Sequence, residues 1–198
     1  MRRIGRVCAV CAGAMMPVLA PSLAYAVEVE GDTGFFSGFL HPLLGFDHLL
    51  AMVAVGLLSV QIGGRAVWYV PLAFLVFLGI GGALGLANIP LPEVEGVIAL
   101  SVFGLGLVIA LSTTVPMVFA MLMVGFFAIF HGHAHGMEIP SLAAPALYVI
   151  GFLIASTVLH VAGVGLGVLQ RHEVARAKIG AGCGGIGLYM VLLTYGVV

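Results

Sequence analysis

Charge is the scarcest feature of this sequence, and its scarcity excludes most soluble folds. Only 8% of the 198 residues are charged, a single lysine occurs, at position 178, and 62% of the residues are hydrophobic. Soluble domains typically carry about 25% charged residues. So few basic residues also argue against nucleic-acid binding. The composition therefore predicts a chain that lies in a lipid bilayer.

Cysteine is nearly as scarce, and two of the three cysteines lie in a predicted signal peptide. Three arginines open the chain, an apolar stretch over residues 7–18 follows, and small residues lead up to Ala26. Cleavage there would make Val27 the first mature residue and leave Cys183 alone, which excludes a disulfide framework and a cysteine metal cage. An uncleaved first helix is the alternative, and it would leave the following loop on the same outer side.

Six apolar segments follow, each close to the ~20 residues that a helix needs to cross the hydrocarbon core. They lie at about residues 42–61, 66–86, 95–112, 115–135, 145–169 and 179–197. The connections between them are too short to form a second domain. The sequence therefore predicts an all-α polytopic membrane protein, with a cleavable signal peptide over residues 1–26 and a single six-helix transmembrane bundle over residues 27–198.

The loop charges predict the orientation of this bundle. The basic residues of the mature chain fall in two loops on one side, which the positive-inside rule makes cytoplasmic: Arg65, Arg171, Arg176 and Lys178. The opposite loops and the mature N-terminus carry only acids: Glu28, Glu30, Asp32, Glu93, Glu95 and Glu138. An acidic outer face would concentrate cations. Acidic loops that are merely solvated are the alternative.

The motif HPLLGFDH, residues 41–48, places titratable groups at the start of the first segment. Pro42 suits the first position of a helix, which puts His41 at the outer end. On a straight helix Asp47 and His48 then lie roughly 8 to 10 Å deeper. His41 and His48, seven residues apart, share one face, and Asp47 points toward a neighbouring helix.

The motif FHGHAHGME ends the fourth segment at the same outer side. His131, His135 and Glu138 stand at positions i, i+4 and i+7, one continuous face if the helix persists to Glu138. His133 falls on the opposite face and would join the others only if the helix unwinds at a neighbouring glycine. His160, in the middle of the fifth segment, is either a deeper station for a ligand or a helix-to-helix hydrogen bond.

Imidazole and carboxylate groups without a thiolate suit Ni²⁺, Co²⁺ and Zn²⁺ better than Mg²⁺ or Cu⁺. Asp47 is either a direct ligand or an acceptor that fixes the tautomer of a histidine. Two functions are open at this point: transport of the metal, and an intramembrane metal-dependent enzyme that uses the same histidines. The sequence has no GxxxxGK[ST] phosphate loop, so the chain itself is not expected to hydrolyse ATP.

The stretch HPLLGFDHLLAMVAVGLL followed by FHGHAHGME, behind a signal peptide and within six helices, closely resembles the HupE/UreJ family of hydrogenase and urease accessory proteins. The resemblance implies a nickel permease of the bacterial inner membrane, with cobalt in some members, rather than an enzyme. It also implies no permanently bound cofactor, and the signal peptide together with the loop charges predicts a periplasmic mature N-terminus. The expected partners are the transported ion, the lipid bilayer and cytoplasmic nickel chaperones. The motifs carry over as His41, Asp47, His48, His131, His135 and Glu138.

Overall fold

The computed structural model describes residues 34–139, 144–170 and 172–198, and these form helices without a strand. The helices are α1 (Phe35–Leu44), α2 (Phe46–Ile62), α3 (Ala66–Leu86), α4 (Val94–Ala110), α5 (Met117–Met137), α6 (Pro145–Leu169) and α7 (Glu173–Thr194). The predicted signal peptide lies outside the described residues, as do Glu28, Glu30, Asp32 and Arg171. The all-α class is thus confirmed for the described part of the chain.

The first predicted segment is not one straight helix. It is divided into α1 and α2, whose axes differ in direction by 80°. Gly45 separates them in an extended conformation, φ −75° and ψ 107°, and its amide donates a hydrogen bond to the carbonyl of His41 at 3.0 Å. Pro42 lies inside α1 rather than at a helix start, so the expectation that His41 begins the helix was wrong. The apolar pattern continues across the break and therefore does not reveal it.

Gly45 has a packing reason to be glycine. A Cβ atom there would lie 3.1 Å from Nδ1 of His48 and 3.3 Å from Oδ1 of Asp47. Both distances are tighter than most Cβ contacts, because these two side chains fold back over the break. The bend and the position of the Asp47–His48 pair are therefore coupled.

Four helices are long and apolar enough to cross a membrane: α3, α5, α6 and α7. The bent pair α1 and α2 makes a fifth if it counts as one span. Helix α4 has 17 residues, about 25 Å at the helical rise, which is short of the ~30 Å hydrocarbon core. The six-span count stays a prediction, but several apolar helices of this length fit a multi-pass membrane protein.

The outer surface of the bundle is apolar. Trp68 is 77% exposed, and Val118, Leu122 and Val161 are each more than 60% exposed. The interior holds a hydrophobic core, and the buried polar residues within it are histidines, serines and an aspartate. Apolar groups outside and polar groups inside are what a lipid solvent favours, since lipid does not penalise exposed hydrocarbon but does penalise exposed charge.

Glycines let the helices approach closely, as their four-residue spacing predicts. An added Cβ would overlap backbone atoms of α5 at Gly81 and Gly85 of α3, and backbone atoms of α2 at Gly163 of α6. On α7, Gly180 lies against the backbone of α4 in the same way. Helix α2 contacts each of the other six helices among the described residues. It is therefore the central helix, and it carries Asp47 and His48 into the interior.

Candidate metal centre

Four histidine rings form a continuous buried row across α1, α2 and α5, named here the histidine row. The ring centroids of His41 and His135 lie 4.5 Å apart, those of His135 and His48 4.1 Å, and those of His48 and His131 4.7 Å. None of the four residues is more than 4% exposed. The structure thus brings the histidines of both motifs together. The bend at Gly45 allows His41 and His48 to meet the same ring of α5, that of His135.

Glu138 lies at the exposed end of the histidine row. Helix α5 ends at Met137, so the helix persists almost to Glu138, as the continuous-face prediction requires. Oε2 of Glu138 is 3.3 Å from Nε2 of His41 and 4.0 Å from Nδ1 of His135, and the side chain is 38% exposed. One candidate ligand atom from each of these residues lies within 4.8 Å of the others. A metal–ligand bond is ~2.2 Å long, so two ligand atoms of one ion lie at most about 4.4 Å apart. The three atoms would therefore have to move slightly closer together to bind one ion.

Asp47 accepts hydrogen bonds from its neighbour His48. Its Oδ1 lies 2.6 Å from Nδ1 of His48 and 2.8 Å from the amide of the same residue. A carboxylate can only accept, so Nδ1 carries the proton and Nε2 carries the lone pair. Of the two roles that the sequence left open for Asp47, this is the geometry of the tautomer-fixing acceptor. Asp47 also lines a pocket of about 20 Å³ with Glu95 of α4.

His131 is held from a different helix. Its Nε2 lies 2.8 Å from the hydroxyl of Ser101, a fully buried residue of α4. The same hydroxyl donates to the carbonyl of Ile98 at 2.6 Å. His131 thereby joins α5 to α4 at the inner end of the histidine row.

His133 does not belong to the row. Its Nε2 lies 2.7 Å from the carbonyl of Ile89, in the connection after α3. Helix α5 does not unwind at Gly132 or Gly136, so the condition under which His133 would join the other histidines is not met. The sequence placed His133 on the opposite face of the helix, and that placement is correct.

His160 is buried on α6, apart from the histidine row, and an aromatic ring separates the two. The ring of Phe74 lies 5.8 Å from that of His131 and 5.0 Å from that of His160. Phe74 is itself fully buried. Phe74 is therefore in contact with both histidine rings.

The wall of the site on the α6 side is apolar. The ring of Phe152 lies 4.2 Å from that of His135, and Tyr148 lies 6.0 Å from His41. Beside His135 a cavity of about 180 Å³ opens between α3, α5 and α6. Apolar walls lower the local dielectric and strengthen any attraction between a cation and its ligands.

Several ring nitrogens of the row have no hydrogen-bond partner among the described residues: Nε2 of His48, Nδ1 of His131 and both nitrogens of His135. Buried polar atoms without partners are costly and need an explanation. A neutral imidazole has one lone pair, so a bound cation would satisfy one of these nitrogens on each ring. The donor set is nitrogen-rich with one carboxylate at its end, which suits borderline divalent ions.

The sequence profile of the family described as HupE / UreJ protein matches residues 14–192. The chain belongs to the HupE/UreJ family. It is 46% identical over 166 residues to Protein HupE of Rhizobium leguminosarum bv. viciae, which covers 81% of this chain and 86% of that protein. No solved structure matches the chain. The resemblance drawn from the two histidine motifs is thereby confirmed.

Sequence reasoning missed three residues that shape the site of this HupE/UreJ protein: Ser101, Phe74 and Phe152. Each is one more serine or phenylalanine within a long apolar segment. A buried serine in a membrane helix is a weak signal, because such a hydroxyl usually bonds the carbonyl one turn earlier. Only the packing of α3, α4 and α6 against the row identifies these side chains.

Proposed function

We propose that this HupE/UreJ protein is a permease of the bacterial inner membrane that takes up divalent nickel, or cobalt, for nickel enzymes such as hydrogenase or urease. The observation that carries the proposal is the buried row of four imidazoles, which begins at an exposed carboxylate. Membership of a hydrogenase and urease accessory family supports it. In this proposal the signal peptide is removed and the mature N-terminus lies in the periplasm.

Capture would occur at Glu138, His41 and His135. The exposed carboxylate of Glu138 meets the hydrated cation first, and the two buried histidines replace water molecules of its hydration shell. Loss of hydration is costly for a divalent ion, so ligands must be available before water is released. Oε2 of Glu138 lies 3.3 Å from the His41 ring and 4.0 Å from the His135 ring, so the three ligands are available in one place.

Transfer would follow the row from His135 to His48 and His131. Neighbouring rings are separated by 4.1 and 4.7 Å between centroids, so the ion gains a new nitrogen before it leaves the old one. Passage beyond His131 toward His160 would lead past the ring of Phe74, which contacts both histidines. We expect cytoplasmic nickel chaperones to receive it.

Uptake of radiolabelled Ni²⁺ by cells that express each variant tests this function. Glu138→Gln and His135→Ala remove a proposed ligand, and we expect uptake at limiting nickel to fall by at least about 10-fold, since even a supporting residue of a metal site is worth ~10–100-fold. His172→Ala is the matched control, because His172 is exposed, lies in the connection between α6 and α7, and belongs to neither histidine motif. Wild-type uptake by both site variants would contradict the proposal.

The same preparation distinguishes transport from an intramembrane metal-dependent enzyme. A permease should release its ion, so purified protein should bind nickel weakly and exchangeably. Stoichiometric metal retained through purification would favour the enzyme. Competition of labelled Ni²⁺ uptake by Co²⁺, Zn²⁺ and Mg²⁺ then ranks the substrates, and we expect Mg²⁺ to compete least.

A further inference from the structure

Ser101 of α4 is in contact with the histidine row but belongs to neither histidine motif. Its hydroxyl lies 2.6 Å from the carbonyl oxygen of Ile98 and 2.8 Å from Nε2 of His131. Both Ser101 and His131 are fully buried. Water therefore does not compete for these two hydrogen bonds.

The two contacts together determine where the protons lie. A serine hydroxyl has one proton, and a carbonyl oxygen can only accept. Two oxygens at 2.6 Å without a proton between them would repel each other, so the hydroxyl donates to Ile98. The contact with His131 must then run the other way, with Nε2–H donating to the Ser101 oxygen.

This assignment leaves Nδ1 of His131 with the lone pair. Nδ1 has no partner among the described residues, and the ring of His48 lies 4.7 Å from the His131 ring. On His48 the Asp47 carboxylate leaves Nε2 free in the same manner. The row thus has one histidine oriented by a carboxylate of its own helix and one oriented by a hydroxyl of another helix.

We propose that Ser101 is a positioning residue that holds His131 in the Nε2–H tautomer, so that Nδ1 is presented to the metal ion at the inner end of the row. The part of this inference that concerns the metal rests on the proposed function. The tautomer of His131 follows from the hydrogen bonds alone. Without the hydroxyl the Nε2–H proton would be buried without an acceptor, and the tautomer with the proton on Nδ1 would become competitive. The ring would then present the wrong nitrogen to the ion.

Ser59 supplies a matched control. It is also fully buried and also donates to a carbonyl three residues earlier, that of Gly56 at 2.7 Å. It makes no side-chain hydrogen bond to a histidine among the described residues. Ser59→Ala therefore removes the same kind of hydroxyl from the same kind of site and leaves the row unchanged.

The experiment combines two readouts on the full-length protein in lipid. The ¹⁵N spectrum of histidine-labelled protein, with His131 assigned by its loss in His131→Asn, reports which ring nitrogen carries the proton. We expect His131 to be protonated at Nε2 in the wild type and in Ser101→Thr, which keeps a hydroxyl, and to show the other tautomer in Ser101→Ala. Uptake of radiolabelled Ni²⁺ should show KM raised by about 10- to 100-fold in Ser101→Ala, with recovery in Ser101→Thr.

The outcomes separate the two proposals. An unchanged His131 spectrum in Ser101→Ala, or an equal KM change in Ser59→Ala, would overturn the role of Ser101. Absence of nickel uptake by the wild type, with the tautomer shift still present, would overturn the proposed function and uphold the action of Ser101 on His131. If Ser101→Ala does not accumulate in the membrane, the wild-type and Ser101→Thr spectra still decide, because Nδ1 protonation of His131 in either one would overturn the assignment.

Discussion

At the scale of single residues, the site depends on which atom of each histidine is free. An imidazole offers two nitrogens, and the one that binds a metal is set by the partner of the other. Asp47 determines which nitrogen of His48 is free, because its Oδ1 accepts a hydrogen bond from Nδ1 of His48 at 2.6 Å. Asp47 and His48 are adjacent in the motif, so the sequence identifies the pair. Only the structure shows that the two side chains form a hydrogen bond.

Asp47 can therefore be tested as an acceptor rather than as a ligand. Asp47→Asn keeps the shape and a carbonyl acceptor but loses the charge, whereas Asp47→Ala loses the acceptor. We expect KM for nickel to rise by up to ~10-fold in the first and by about 10- to 100-fold in the second. Uptake kinetics in cells, normalised to the amount of protein in the membrane, measure both. If Asp47→Asn is as inactive as Asp47→Ala, the carboxylate charge itself contacts the ion.

At the scale of helices, two features bring the site together: the break at Gly45 and the close glycine contacts. The break turns α1 by 80° relative to α2, which allows His41 to lie beside His135. The close contact of α3 with α5 holds the helix that carries His131 and His135. At Gly132 of α5, an added Cβ would overlap the carbonyl of Leu78.

Gly132→Ala should therefore disturb the site through the packing of helices. Inserting a methyl group into this contact forces α5 away from α3, and we expect a loss of stability of about 1–3 kcal/mol, with lower nickel uptake. Gly165→Ala is the matched control on α6, because a Cβ there meets no atom within 4 Å. Thermal unfolding in detergent compares the two. An equal effect of both substitutions would mean that close packing of α3 and α5 is not what positions the histidines.

At the scale of the whole molecule, the proposed movement of a divalent cation through an apolar bundle needs a driving force. An inside-negative potential of 100 mV favours inward movement of a divalent cation by roughly 4.6 kcal/mol, equivalent to about a thousand-fold accumulation or more. The sequence contains no nucleotide-binding phosphate loop. The potential together with the ion gradient is therefore the source that we propose.

Purified protein in liposomes tests this directly. A potassium gradient with valinomycin sets the potential, and we expect labelled nickel to accumulate when the inside is negative and not when the potential is zero. Liposomes that contain His135→Ala serve as the control for leakage. Accumulation that is indifferent to the potential would require another source of energy.

Much of the architecture was readable from the amino-acid order because lipid imposes a simple constraint: apolar segments of about 20 residues become helices. Five of the six predicted segments coincide with helices α3 to α7 within a few residues, except that α7 begins at Glu173 rather than near residue 179. The prediction of one straight helix for the first segment was wrong, because the break at Gly45 leaves the apolar pattern intact. The positions of His131, His135 and Glu138 followed from helical periodicity.

The sequence by itself determined the helical class, the apolar exterior, the family and the two histidine motifs, since each of these depends on local pattern. Only the tertiary structure decided which groups meet: His41 with His135 and Glu138, His131 with Ser101, and His160 behind Phe74. Contacts between helices depend on the bend at Gly45 and on how closely the glycines pack. Those are properties of several segments at once, and no single segment contains them.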